Sequence, residues 1–251
     1  MTAGWIQPLI TAALDYIYPR ACACCHNMLH NDEAFVCHDC EDALVPIQPP
    51  ICPTCGSPVL EEKPDQKRCG NCLRGTVYFE QIRAGLDYND ERVRNMIHTF
   101  KFEYVHAMAK ELSRFMIPAF DTYYKNEIMD AIVPVPLHKS RQRQREFNQS
   151  LLLAEYPAKH TGLPLRSDWV IRSRWTQPQT RLKPDERIQN IQGAFSVRHP
   201  GEVKDQTILL IDDVVTTGST VNELSRVLRE HGAKRILVLS LARAYTQIKL
   251  R

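Results

Sequence analysis

The sequence lacks an apolar run long enough to cross a membrane as a helix, and its first residues lack the basic segment of a secretory signal. We therefore expect a cytoplasmic protein with no segment inserted in a membrane. The missing signal also argues against a disulfide framework for the nine cysteines, because such frameworks belong mainly to secreted domains. Instead of a signal, apolar side chains at helical spacing over residues 5–17 predict a short amphipathic helix that docks on the rest of the protein.

Charge is distributed unevenly along the 251 residues. Residues 1–80 carry 5 basic and 10 acidic side chains, a net charge of −5, and residues 81–251 carry 27 and 19, a net charge of +8. The hydrophobic fraction of 43% is that of a globular protein, with ample length for a buried core. We predict two domains with different roles: residues 1–78, with the N-terminal helix and all the cysteines, and residues 79–251.

Eight of the nine cysteines form four pairs, each with two residues between its members. Paired thiolates on tight turns at these distances are typical of tetrahedral zinc sites, so we predict two Zn²⁺ ions. Cysteine would fill all four positions of each site, which favours a structural role for the metal. The sequence leaves open which pairs share an ion, and whether Cys24 is a spectator or a substitute ligand. The predicted ligands are Cys22, Cys25, Cys37, Cys40, Cys52, Cys55, Cys69 and Cys72.

The stretch over residues 208–220 combines a buried strand with polar chemistry. Residues 208–211 form an unbroken apolar run, typical of a strand in a parallel sheet, and Asp212 and Asp213 follow where that strand should end. Carboxylates at this edge face the crevice in which open α/β sheets bind ligands. Thr220 and Glu223 predict a capping box for the next helix, so an anion in the preceding loop would lie at a helix N-terminus. That loop consists of Thr216, Thr217, Gly218, Ser219 and Thr220.

Other apolar runs, near residues 82–88, 130–137 and 235–242, alternate with helical patterns. This alternation predicts an α/β fold with a parallel sheet flanked by helices. The polar, arginine-rich stretch over residues 157–195 shows little periodicity, and we interpret it as a mobile loop that folds over a ligand.

A basic segment follows the apolar run at residues 130–137. A loop with several cations at the end of a strand suits a pyrophosphate group, whose negative charge it would neutralise. Two alternatives stay open, a solvated charged face and contact with a nucleic acid backbone. The basic residues are Lys139, Arg141, Arg143 and Arg145.

The order of strand, acidic pair and Thr-Thr-Gly-x-Thr loop over residues 208–220 resembles the phosphoribosyl pyrophosphate (PRPP) motif of type I phosphoribosyltransferases. The resemblance implies that Asp212 and Asp213 bind the ribose hydroxyls and that residues 216–220 bind the 5′-phosphate. It also implies that Mg²⁺ and the basic segment hold the pyrophosphate. Purine-salvage relatives carry an acid at the position of Thr216 to serve the base, so purine salvage is not expected here.

The chain as a whole resembles the ComF family. Besides the cysteine pairs, the stretches that carry this resemblance are residues 134–149, Gln179, residues 187–190 and residues 193–195. The resemblance implies a double zinc ribbon joined to a type I phosphoribosyltransferase-like domain, in a bacterial cytoplasmic protein that handles incoming DNA for competence or as a nutrient. Two positions depart from the family pattern. Glu146 stands where Gly is usual. Pro157 falls inside a predicted helix, and we expect that helix to stop at Tyr156 or to kink.

Two hypotheses of function follow. In the first, the protein is an enzyme in which the catalytic pair Asp212 and Asp213 and the phosphate loop hold PRPP for transfer to an unidentified acceptor. In the second, a non-catalytic protein keeps the PRPP pocket as a sensor or remnant. Its zinc ribbons and arginine-rich loops then bind single-stranded DNA or DNA-uptake proteins. The complete motif favours PRPP binding and leaves turnover open.

Overall fold

The computed structural model describes residues 20–30, 32–59, 68–102, 106–177 and 184–245. The N-terminal helix predicted over residues 5–17 lies outside these residues, as does Gln179. No helix in this part of the chain is both long enough and apolar enough to cross a membrane.

A four-stranded parallel sheet forms the centre of the molecule, with the strand order β1-β6-β5-β2. A separate two-stranded antiparallel sheet, the small sheet, pairs β3 with β4. The strands are β1 (Gln81–Asp87), β2 (Ala131–Pro134), β3 (Val170–Arg172), β4 (Phe195–Val197), β5 (Thr207–Val215) and β6 (Arg235–Arg243). The predicted parallel sheet is confirmed.

Ten helices occur in the described residues. They are α1 (His38–Ala43), α2 (Gly70–Arg74), α3 (Glu91–Phe102), α4 (Met108–Arg114), α5 (Ile117–Tyr123), α6 (Lys139–Arg145), α7 (Gln149–Thr161), α8 (Pro184–Ile191), α9 (Pro200–Val203) and α10 (Ser219–Glu230). The apolar stripe of α3, which is Val93, Met96, Ile97 and Phe100, is buried. A stripe at helical spacing thus places this helix on the sheet.

The central strands are apolar on both faces because each face supports its own core. Leu209 and Ile211 of β5 belong to one core with α3, α4 and α7, while Ile208 and Leu210 belong to the other with α10 and the small sheet. Since successive side chains of a strand point to opposite faces, an unbroken apolar run is what a doubly covered strand requires.

The cysteine-rich region contributes to both cores. Cys22, Cys37 and Cys40 pack in the core that contains Phe100, and Cys52 and Cys55 pack in the core that contains Ile82. The two halves of this region therefore lie against opposite faces of the central sheet. The domain boundary after residue 78 stays a prediction.

The interpretation of residues 157–195 as a loop is wrong for the residues that the structure describes, and residues 178–183 of this stretch lie outside them. Within this stretch the structure has β3, α8 and the start of β4, and the strand pairing places Arg172 opposite Phe195. These strands are only three residues long, which is too short for alternation of apolar and polar residues to be recognised in the sequence.

The first of the two outcomes expected for Pro157, a stop at Tyr156, is wrong, since α7 continues to Thr161, and the second, a kink, stays a prediction. Proline removes the amide that would bond the carbonyl four residues earlier, here that of Leu153. The buried hydroxyl of Ser113 in α4 lies 2.5 Å from the carbonyl oxygen of Ala109 in its own helix and 3.2 Å from that of Leu153, so its single proton is shared between the two. A neighbouring helix thus supplies part of the missing hydrogen bond. Glu146 ends α6 with a φ of 64°, a left-handed conformation that explains why glycine suits this position.

Candidate functional site

The acidic pair lies at the carboxyl end of β5, and other elements hold both carboxylates. Asp212 is 9% exposed, and its Oδ1 accepts hydrogen bonds from the Ser150 hydroxyl at 3.1 Å and the Asp213 amide at 2.9 Å. Asp213 Oδ2 forms an ion pair with Lys101 Nζ of α3 at 2.7 Å. Helices α7 and α3 therefore orient the two carboxylates.

The two carboxylates differ in their electrostatic surroundings. Burial raises the pKa of the Asp212 carboxyl to about 7, and the neighbouring charge of Asp213 adds to this rise. The charge of Lys101 and the Ser150 hydroxyl oppose it without cancelling it. A carboxyl group held out of water at the edge of a sheet is typical of a functional site rather than of a structural turn.

The predicted phosphate loop, residues 216–220, connects β5 to α10. The structure places the helix start two residues earlier than predicted, since Gly218 and not Thr220 is the N-cap and Thr220 lies in the first turn. Gly218 has a φ of 82°, which only glycine adopts without strain, so the loop can turn back on itself before the helix. A small hollow beside this loop is lined by Asp212, Val214, Val215, Thr216, Gly218, Ser219, Thr220 and Val221.

The capping box predicted from Thr220 and Glu223 is wrong. Glu223 Oε1 instead accepts a hydrogen bond from the Gly193 amide at 2.7 Å, and the carboxylate also pairs with Arg226. Glu223 thus ties α10 to the turn before β4. The N-cap Gly218 has no side chain to cap the first turn of α10, and the Ser219 amide donates to the Thr217 hydroxyl at 3.4 Å. Amides and hydroxyls thus cluster at a helix N-terminus, an arrangement that suits an anion.

Arg187 of α8 also reaches the phosphate loop. Its Nη1 donates to the Thr216 hydroxyl at 3.2 Å, so the arginine-rich stretch contributes a cation at the edge of the hollow. Arg187 belongs to the stretch that carried the family resemblance, but its position at the loop could not be read from spacing.

The basic segment forms the short helix α6 and not the loop that we expected. Its four cations occupy every second position, and two residues of an α-helix are about 200° apart around the axis, so they diverge. Arg141 Nη2 donates to the carbonyl of Thr176 at 2.9 Å, whereas Arg145 donates to Gln149 and stacks over the Phe102 ring at 5.1 Å. Lys139 and Arg143 line a separate, open hollow. Of these four, Arg141 is the one that bonds to the segment after β3.

The structure resolves how the cysteine pairs combine. Consecutive pairs assemble into two groups whose four sulfur atoms lie within 4.8 Å of one another, a spacing that fits a tetrahedral ion. The first group is Cys22, Cys25, Cys37 and Cys40, and the second is Cys52, Cys55, Cys69 and Cys72. Backbone amides donate to Cys22 Sγ and Cys52 Sγ at 3.4 Å, as expected for thiolate ligands. The donor sets therefore fit two structural Zn²⁺ ions.

Cys24 lies outside both groups. It is 1% exposed, burial raises the pKa of its thiol to about 12, and the nearby Cys22 thiolate raises it further. Its carbonyl accepts a hydrogen bond from Asn95 Nδ2 of α3 at 3.0 Å. Cys24 is therefore a buried contact between the first cysteine group and the sheet domain.

One buried arginine joins the second cysteine group to the phosphate loop. Arg243, at the end of β6, is 4% exposed and donates to the carbonyls of Cys55, Val215, Thr216 and Ala244 and to the Ser57 hydroxyl. The cysteine turn that contains Thr54 and Cys55 also contacts β1, because the Ile82 amide donates to the Thr54 carbonyl at 2.7 Å. We call this set of contacts the Arg243 joint.

The fold and the two cysteine groups define a protein class, in which a double zinc ribbon is joined to a phosphoribosyltransferase domain. Comparison with known families agrees, because residues 13–73 match the double zinc ribbon domain and residues 148–249 match the phosphoribosyl transferase domain.

Curated relatives share both parts. The chain is 32% identical to Competence protein F of Haemophilus influenzae over 227 residues, 89% of this chain and 96% of that protein. It is 31% identical to DNA utilization protein YhgH of Escherichia coli K12 over 228 residues, 90% and 97% of the two chains. It is 30% identical to Competence protein ComFC of Bacillus subtilis over 218 residues, 82% of each chain. The chain belongs to the ComF family, as its motifs predicted.

Proposed function

We propose that this protein binds PRPP through Asp212, Asp213 and residues 216–220. The observation that carries the proposal is the placement of an acidic pair, with Asp212 buried, directly beside a helix N-terminus whose N-cap is glycine. Two carboxylates suit the two hydroxyls of a ribose, and helix amides with threonine and serine hydroxyls suit a phosphate dianion. Both halves of a phosphoribosyl group thus find complementary partners along one edge of the sheet.

The residues of this chain would position PRPP for departure of its pyrophosphate. Lys101 and Ser150 hold the two carboxylates in place, and Arg187 lies where it would support the loop around the 5′-phosphate. Mg²⁺ bound with PRPP would neutralise the pyrophosphate, together with basic residues of α6. Positioning and electrostatic stabilisation of this kind account for most of the catalysis in a group transfer that needs no covalent enzyme intermediate.

The names of the relatives support a proposal about the biological role. Competence protein F, ComFC and DNA utilization protein YhgH are named for competence and the use of DNA. We therefore propose a role for this protein in the uptake or utilisation of DNA, in the cytoplasm, with single-stranded DNA and DNA-uptake proteins as partners.

Isothermal titration with PRPP and Mg²⁺ tests the ligand. We expect zinc-replete wild-type protein to bind PRPP and the double variant Asp212→Asn/Asp213→Asn to lose this binding. Arg166→Gln, an exposed cation that stacks on Trp169, is a control that should bind as the wild type does. No binding by the wild type would contradict the proposal.

A second candidate function, binding of single-stranded DNA without catalysis, is favoured by the surface around α6. Phe102 and Trp175 are 52% and 53% exposed, and both lie beside arginines of this helix: Arg145 stacks on Phe102, and Arg141 bonds to Thr176, the neighbour of Trp175. Exposed aromatic rings interleaved with cations are the usual platform on which bases stack along a charged groove.

Fluorescence anisotropy with a labelled oligonucleotide tests this surface. Phe102→Ala and Trp175→Ala should each weaken binding, and the affinity should fall steeply with salt because phosphate contacts release counterions. Ile128→Ala is the matched control. Ile128 is 83% exposed but lies before the amino end of β2, whereas α6 follows the carboxyl end of this strand. Equal losses in all three variants, or an affinity that ignores salt, would contradict the assignment.

A further inference from the structure

Two buried arginines from neighbouring strands contact one turn of the second cysteine group. Arg83 of β1 is 7% exposed, and its Nη2 donates to the carbonyl of Pro53 at 3.0 Å. Arg243 of β6 is also buried, and its Nε donates to the carbonyl of Cys55 at 3.0 Å. Both guanidiniums are thus bound to the turn over residues 52–55, which carries two of the four ligands of this group.

Neither guanidinium has a carboxylate partner among the residues that the structure describes. Their hydrogen bonds go to backbone carbonyls and to the Ser57 hydroxyl, all of them neutral acceptors. Nε of Arg83 is buried with no acceptor in this part of the chain, and its Cζ lies 4.7 Å from the centre of the Tyr123 ring. Buried cations of this kind are costly unless an anion lies close to them.

A zinc centre with four cysteine ligands would supply the missing negative charge. Four thiolates and one Zn²⁺ carry a formal charge of −2, equal and opposite to that of two guanidiniums. The turn also approaches β1 closely. Gly56 has a φ of 68°, and a Cβ at this position would lie 2.7 Å from the carbonyl oxygen of Ile82. Glycine therefore lets the turn reach the strand that carries Arg83.

The first cysteine group has different electrostatic surroundings. The buried acid beside it is Glu33, whose carboxylate accepts a hydrogen bond from the His38 amide at 2.8 Å. Two cations lie nearby: Arg20 is exposed, and Arg92 is paired with Asp90 at 2.6 Å. A negatively charged zinc centre in the first group would therefore lie beside a buried carboxylate and partly solvated cations, not beside buried, unpaired guanidiniums.

We infer that Arg83 and Arg243 are the counter-cations of the second zinc centre, and that the two cysteine groups consequently differ in how firmly they hold zinc. Opposite charges a few ångströms apart in a buried site attract strongly enough to change a metal affinity many-fold. The second group is then the permanent zinc site, and the first is the one from which zinc exchanges. This inference does not depend on the proposed phosphoribosyl ligand.

Zinc release to excess chelator, followed with a metallochromic dye at constant pH, measures each group separately. Cys72→Ser should leave zinc only in the first group and Cys25→Ser only in the second. We expect the Cys25→Ser protein to release its ion more slowly, by about tenfold or more. Adding Arg83→Met to Cys25→Ser should speed release by about tenfold or more. Arg83→Lys, which keeps the charge, should restore part of the difference.

The Arg83→Met change in the Cys72→Ser protein is the matched control. It should leave the rate of release from the first group within about twofold, because distant sites respond independently. A purely structural role of Arg83 would instead speed release from both groups alike. That result, or an unchanged rate of release from the second group, would overturn the inference.

Alkylation of the wild-type protein tests the order of zinc release without any variant. Iodoacetamide added during chelation modifies a ligand cysteine once its zinc has left, and peptide mass spectrometry identifies the modified residues. We expect the label to appear first on Cys37 and Cys40 and later on Cys69 and Cys72. Labelling of all four at the same rate, or in the reverse order, would contradict the assignment of the first group as the exchangeable site.

Discussion

At the scale of single residues, the site retains groups that the fold would be more stable without. Asp212 is buried beside a second carboxylate, and its raised pKa measures the cost of ionising it there. Arg172 is a cation in a similar position, buried without a counter-ion. Such costs at one edge of the sheet are expected where a ligand, absent from the free protein, completes the interactions.

The unfavourable ionisation of Asp212 should make the stability of the protein depend on pH. The folded pKa of Asp212, about 7, lies above the ordinary value of 3.8, so its stabilising contribution is complete below pH 4 and is lost as pH rises through 7. In urea denaturation at pH 8, the free energy of unfolding of Asp212→Asn should therefore exceed that of the wild type by on the order of 2–4 kcal/mol. This difference in free energy should shrink toward pH 5.

Asp213→Asn is the matched control for this pH series. It removes a carboxylate that pairs with Lys101, which is itself largely buried, and should lower the free energy of unfolding or leave it unchanged at pH 8. Comparing each variant with the wild type at the same pH cancels the contribution of the zinc thiolates. A gain for Asp212→Asn that does not depend on pH would contradict the role assigned to its ionisation.

At the scale of elements, α7 depends on its neighbour α4. Ser113→Ala should leave the Leu153 carbonyl without a donor and lower the free energy of unfolding by about 1–2 kcal/mol, measured by urea denaturation. In the Pro157→Ala background the helix supplies its own amide, so the same Ser113→Ala change should cost less.

Ser225→Ala in α10 provides the comparison. Ser225 is also fully buried and also donates to a helix carbonyl, that of Val221, but this carbonyl receives the ordinary helix hydrogen bond as well. Its loss should cost less than that of Ser113. Equal costs for the two serines, or no coupling between residues 113 and 157, would show that the bond to Leu153 does not explain the continuity of α7.

The elements also show how far sequence reasoning reaches. The strand β5, the acidic pair and the loop after it were predictable because the motif is contiguous and each residue type has a local reason. Lys101 and Ser113 were not, because their roles arise from contacts with residues far away in the chain. The sequence predicted that Pro157 would stop or kink its helix, and it does not show that Ser113 of another helix lies beside the carbonyl that proline leaves without its amide.

At the scale of the whole molecule, the two zinc ribbons attach to opposite faces of one sheet, and among the described residues the second is the one that Arg243 joins to the phosphate loop. Cys72→Ser should therefore release the second zinc and speed amide hydrogen exchange over residues 215–220, because Arg243 loses its fixed partners in the ribbon. Cys25→Ser should release the first zinc and leave exchange in this loop unchanged.

Zinc content by atomic spectrometry and exchange by mass spectrometry check the two variants side by side. Each should retain one zinc ion per chain, since the two groups share no ligand. Faster exchange over residues 215–220 in both variants would mean that the ribbons act through general stability and not through the joint.

Because of the Arg243 joint, the result of any ligand screen with this protein depends on the zinc content of the sample. A sample that is purified with a chelator, or expressed in zinc-poor medium, would present a loop whose anchor has lost two of its five acceptors, Cys55 and Ser57. If the proposed site is correct, we expect such a sample to bind phosphorylated compounds more weakly than zinc-replete protein does. A negative screen therefore becomes informative only once the zinc in the second ribbon has been counted.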